Sequence, residues 1–159
     1  MEALLFFTTF VFGFFPQTVS YMLMIFAFNK SKVTIKQLFF YSIVVAFICY
    51  AIRLIPFIGF GLHTILNIVV FILFATLWLK KRVYPTVVSV LITTMFVIFC
   101  EYITFSVLSL ALSPETLNEL IVNIETVSDE IRRVLLGGIN NIIVLGVSCF
   151  IYKLKLKER

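Results

Sequence analysis

Five long apolar runs, each closed off by polar or basic residues, constrain the fold of this chain more than any other feature. A bilayer-spanning helix needs about 20 mainly apolar residues. The first run covers about 3–28, interrupted by Thr8, Thr9, Gln17, Thr18 and Ser20, and ends at Asn29-Lys30-Ser31-Lys32. The second covers about 38–54, and the third about 57–79, stopping at Lys80-Lys81-Arg82. The fourth opens at Tyr84-Pro85 and covers about 84–112; the fifth covers about 135–152, before a basic tail. Composition agrees: 62% of the 159 residues are hydrophobic and 13% charged, against about 45–50% and about 25% in soluble domains. Too few polar residues are left to coat a soluble globule of this size, so a soluble enzyme and a disordered chain are both excluded. The reading is an all-α membrane protein, a single integral domain over 1–159, built as a bundle of five transmembrane helices.

Charge sets the expected orientation. Ten of the thirteen Lys and Arg fall in the 29–37 loop, the 80–83 loop and the tail from Lys153, on alternate ends of successive spans. By the positive-inside rule these ends are cytoplasmic. The expectation is a multi-pass protein of the cell membrane, N-terminus outside and C-terminus in the cytoplasm. The basic pI of about 9.2 then reflects anchoring beside anionic lipids. Nucleic acid is not an expected partner, because the cations are dispersed among hydrophobic ends rather than gathered in one stripe.

The first run does not read as a cleaved signal peptide, having Glu2 in place of a basic start and no small-residue cleavage site. Pro16, preceded by Gly13, is expected to kink it, and Gln17 needs an interior partner. Between the fourth and fifth runs, Ser113-Pro114-Glu115 reads as a helix start. Leu117, Leu120, Ile121, Ile124, Val127 and Ile131 then form one helical stripe. This predicts an extracellular amphipathic helix over about 114–133, too charged to span. It would serve as an interfacial connector, a lid over an outward-facing cavity, or a dimer contact.

Ionisable residues inside spans are costly and therefore functional candidates. Arg53, His63 and Glu101 each lie about 16–17 positions from the inner end of their spans, or roughly 24–26 Å above the cytoplasmic boundary at 1.5 Å per residue. Asn140 and Asn141 reach a comparable depth from the outer start of the fifth span, and Tyr50 and Tyr102 flank the layer. Arg53 could pair with Glu101, Glu101 could stay uncharged, and Arg53 could snorkel to the outer headgroups. The two asparagines suit interhelical hydrogen bonding. Cys49, Cys100 and Cys149 show no metal spacing and suggest reduced thiols. No cofactor or metal is expected. Gly59-Phe60-Gly61-Leu62-His63 is similar to the Gly-x-His stretch of the accessory-gene-regulator peptide peptidases. That family's nucleophilic Cys follows about two turns later, where this chain has Val69, Val70 and Phe71, so no enzymatic activity is expected.

The stretch Arg53-Leu54-Ile55-Pro56-Phe57-Ile58-Gly59-Phe60-Gly61-Leu62-His63-Thr64 resembles the outer turn in the N-terminal membrane domains of GHKL-type sensor histidine kinases, the group of the accessory-gene-regulator peptide receptors. The resemblance implies a bundle of short Phe/Ile/Leu-rich spans in which Arg53, Pro56, Gly61 and His63 shape an extracellular, ligand-facing turn. Only seven residues follow Tyr152, so the kinase's catalytic residues have no counterpart. A kinase-less bacterial sensor module for signal transduction, as in a two-component system, is therefore expected. Its partners would be the lipid bilayer, a cytoplasmic histidine kinase or other signalling protein, and a second copy of the chain. The alternatives are a substrate-binding subunit of a small-molecule importer and a structural or assembly protein of the membrane.

Overall fold

The computed structural model describes residues 2–55, 62–111 and 127–157. Among these, all regular structure is helical, as backbone polar groups require where lipid offers them no partner. Helix α1 (Glu2–Thr8) passes through a π-helical segment (Thr9–Phe14) into α2 (Phe15–Phe28); α3 (Ile35–Arg53), α4 (Leu62–Leu73, extended by a second π-helical segment, Phe74–Trp78), α5 (Val83–Ala111) and α6 (Val127–Lys157) follow. Four stretches are long and apolar enough to cross a membrane: Ala3–Phe28, Ile35–Arg53, Val83–Leu110 and Val134–Lys157. Leu62–Trp78 is equally apolar in character but shorter. Pro56 and Gly61 lie outside the described residues, as does most of the expected outer helix. Its last residues do not form a separate helix: from Val127 they run unbroken into α6. The charged cluster Asp129, Glu130, Arg132, Arg133 was expected to precede a new helix start at 135. Charge marks where a helix can leave lipid, whereas a helix can continue through that boundary into water.

The bundle is organised around its first helix. Every residue from 18 to 27 is buried, so α2 is enclosed on all sides, as expected for a helix with no polar face. It packs against α3, α5 and α6, while α3 meets α4, α4 meets α5, and α5 meets α6. The later helices thus follow one another around α2 in chain order. Phe71 of α4 completes the ring, stacked on Tyr21 with centroids 4.2 Å apart. The outer surface is apolar: Phe40, Phe47, Met95, Phe99, Ile142 and Phe150 are all exposed. That is the surface expected where the surrounding solvent is hydrocarbon. Buried hydroxyls bond their own helices, Ser20 to Pro16 O (2.8 Å), Thr93 to Ser89 O (2.7 Å) and Thr86 to Arg82 O (2.8 Å) among them, which lets Ser and Thr line an interior without orphaned donors.

The Asn29 end of the bundle, called lower here, is tied by specific bonds. Lys30 N–H donates to Ala27 O and Ser31 N–H to Phe26 O (3.0 and 2.9 Å), with Lys30 left-handed at φ 48°. This is a Schellman ending with lysine in the place glycine favours. Asn29 Oδ1 accepts from Arg82 N–H (3.0 Å), and its Nδ2 donates to Ile25 O and Thr86 Oγ1 (2.9 and 3.1 Å), joining α2 to the start of α5. Val33 N–H donates to Tyr152 Oη (3.0 Å), which brings in α6. Thr34 and Gln37 form a capping box that starts α3 three residues before the expected 38. Lys30→Gly should raise stability by about 0.5–1 kcal/mol by relieving the left-handed strain, and Lys30→Val should lower it by at least as much. Unfolding in graded SDS micelles reads both; equal midpoints for the two variants would contradict the account.

Candidate functional site

At the opposite, upper end the polar residues divide into two groups. The first surrounds Pro16. A proline has no N–H to give the preceding turn; in α-helical spacing the carbonyl left without that donor is Phe12's. The chain widens there into the π-helical segment, with Phe15 N–H bonding Phe10 O. Asn141 on α6 fills the gap: its Nδ2 donates to Phe12 O (3.1 Å) and Gly13 O (2.9 Å). Gly138, one turn earlier, allows the approach; a Cβ there would stand 3.2 Å from Phe12 Cβ and 3.5 Å from Phe12 O. Asn140 turns to the other neighbour, its Oδ1 accepting from Thr104 Oγ1 at 2.5 Å. Both asparagines are buried. These bonds join α6 to the π-helical segment and to α5. Gln17 is half-buried and no described hydrogen bond reaches it.

The second group is less satisfied. Its floor is Tyr21, whose Oη shares a 2.8 Å hydrogen bond with Thr94 Oγ1 on α5 and whose ring carries Phe71 of α4. Asn67 lies one turn above Phe71 on the same face of α4, and its Oδ1 is buried with no hydrogen-bond partner. Glu101 lies two turns above Thr94 on the strip of α5 that carries Val90, Thr94 and Val97. Those three residues are buried, at 0, 7 and 6% exposure, yet Glu101 itself is exposed. The strip that packs inward below therefore opens at the level of Glu101. Cys49 on α3 is buried and belongs to the same core cluster as Tyr21 and Phe71. His63, on the first turn of α4, is half-buried one turn above Asn67. Arg53 does not pair with Glu101. It is exposed at the end of α3, with its guanidinium 5.8 Å from the Phe14 ring. Counted along the helices, Phe14, His63 and Glu101 all stand roughly 10–12 Å above the Tyr21–Phe71–Thr94 floor.

Sequence reasoning passed over Asn67 and the Tyr21–Thr94 bond. A signal for Asn67 was present, since it is the only amide in an otherwise apolar run and stands four residues after His63, on the same helical face. Among the described residues no group of three metal-ligating side chains occurs. The open level offers an acceptor amide, a carboxyl and an imidazole above an aromatic floor, with a guanidinium at its rim: a set that binds and orients. Together these features define an all-helical protein with apolar helices of membrane-spanning length, consistent with a membrane protein. Compared with protein families, curated proteins and solved structures, the chain finds no match.

Proposed function

We propose that these residues form a membrane sensor module whose ligand enters the upper polar level and whose response is read at the lower end by a signalling partner. All five apolar helices cross the bilayer in this reading. At 1.5 Å per residue, Leu62–Trp78 spans about 25 Å, near the lower limit for a crossing. It also follows the Arg53 end of α3 and delivers Lys80, Lys81 and Arg82 to the Asn29 end, where Arg82 bonds Asn29. The basic lower end is cytoplasmic and the Glu101 level faces outward. The observation that carries the proposal is the buried Asn67 Oδ1 without a hydrogen-bond partner, on a helix that packs against α5, whose inward strip becomes exposed at Glu101. Buried polar atoms are almost always satisfied, so such an orphan suits a group supplied from elsewhere, such as a donor on a ligand.

Thiol labelling tests access and orientation together. In a chain with Cys49, Cys100 and Cys149 replaced by Ser, Glu101→Cys should react fully with a membrane-impermeant maleimide added to intact cells, and Val90→Cys should stay unlabelled. Labelling of Glu101→Cys only after permeabilisation would reverse the orientation and defeat the proposal. Co-purification from mildly solubilised native membranes tests the signalling half. A histidine kinase or its regulator is the expected companion; a pair of ATPases would make the same upper level the substrate site of an importer.

A further inference from the structure

The lower end holds a groove that the sensor reading does not use. It has a volume of about 330 Å³, and Lys32, Gln37, Tyr41, Trp78 and Lys81 line it together with Phe26. Two cations from different loops thus face one concavity. Lys32 precedes α3, and Lys81 follows the second π-helical segment with its ammonium 4.7 Å from the Phe26 ring centroid. That contact holds the charge over an aromatic face at the groove wall. The start of α3 adds the partial positive charge of a helix N-terminus. Gln37 Oε1 is taken up by Thr34, which leaves its amide nitrogen as a donor on the groove wall.

The flank of the groove decides between a free anion and a lipid. Trp78 is 67% exposed, Leu77 74% and Phe40 58%, so the cationic concavity opens directly onto a broad apolar surface. A free phosphate would use the cations and waste that surface. A phospholipid uses both, with its phosphate between Lys32 and Lys81, the Trp78 indole at the headgroup boundary, and its acyl chains along Leu77 and Phe40. We infer that this groove is a discrete binding site for the headgroup of an anionic phospholipid, distinct from the general attraction of basic loops to a negative membrane surface. Basic pockets between helices at the inner surface take such headgroups in this way. The inference is independent of what enters the upper level.

Trp78 is the chain's only tryptophan, so its fluorescence reports on this groove alone. The full-length chain is placed in phosphatidylcholine nanodiscs containing a small fraction of either brominated phosphatidylglycerol or brominated phosphatidylcholine, and quenching is titrated. The anionic lipid should quench at a mole fraction at least about five-fold lower than the zwitterionic one, the factor that a single lysine supplies. Lys32→Gln and Lys81→Gln should each cut that preference toward parity. Lys36→Gln removes an exposed charge from the same end without touching the groove and should leave the preference intact. Equal quenching by the two lipids would overturn the inference. So would an equal loss in Lys36→Gln, which would mean surface charge alone, or abolition of the preference by millimolar inorganic phosphate, which would mean a free-anion site. Lys32 lies far from Trp78 in sequence, so a loss in Lys32→Gln with unchanged emission from the lipid-free chain cannot come from local damage around the indole.

Discussion

Replacing Asn141 by leucine should cost the fold about 2–3 kcal/mol, and the same replacement should cost less than half of that once Pro16 is alanine. The wild-type cost has two parts. Two hydrogen bonds, to Phe12 O and Gly13 O, are lost, each worth about 0.6–1.7 kcal/mol between helices in a membrane. The Phe12 carbonyl also loses the donor that stands in for the N–H missing from Pro16. Alanine at 16 restores an N–H to the turn and lets the helix serve its own carbonyl. The two sites should therefore couple, although they lie 125 positions apart. Unfolding free energies of the four chains in mixed SDS micelles give the coupling directly. Additive effects would mean that the asparagine and the proline are neighbours without a shared role.

The three glycines of α6 should divide sharply. Gly138→Leu should destabilise by about 3 kcal/mol or more, since its Cβ alone would press on Phe12 at 3.2 Å and the rest of the side chain would have nowhere to go. Gly138→Ala should cost about 1 kcal/mol. At Gly137 and Gly146 a Cβ would meet nothing within 4 Å, so alanine there should be neutral or stabilising by up to about 1 kcal/mol through helix propensity. The same micelle titrations, run on the three alanine variants, check the order. A penalty at Gly137 as large as at Gly138 would show that α6 is rotated from the face described.

Where the chain turns helical was largely legible, and how its helices meet was not. The first apolar run, expected over 3–28, is helical from Ala3 to Phe28, because apolar length alone determines a helix that must satisfy its own backbone. The start of α3 was missed by three residues although Thr34 and Gln37 spell a capping box; hydropathy does not register a cap. The extent of α6 was missed in the opposite sense, because Asp129 to Arg133 signal a change of surroundings and leave the helix uninterrupted. Within the upper level, Pro16 was recognisable as a break and Asn141 as an interhelical donor. Their meeting depends on which helix adjoins which, and the hydrophobic pattern is blind to that. For the same reason Arg53 and Glu101 looked like partners by depth, while the fold sets Arg53 over Phe14 and Glu101 on another helix, beside the opening.

The enclosure of α2, joined to the bond between Asn141 and the first π-helical segment, has a consequence for how the protein is made. Of the helices described, the one made earliest is the one that the later ones surround. Until residue 141 has emerged, the Phe12 and Gly13 carbonyls have no side chain to receive, and the α6 side of the core stands open to lipid. α2, α3 and α5 can pack together before α6 is made, but the α6 side of the bundle can close only afterwards. A chain shortened before α6 would keep the contacts of α2 with α3 and α5 and lack the bonds that Asn140 and Asn141 make.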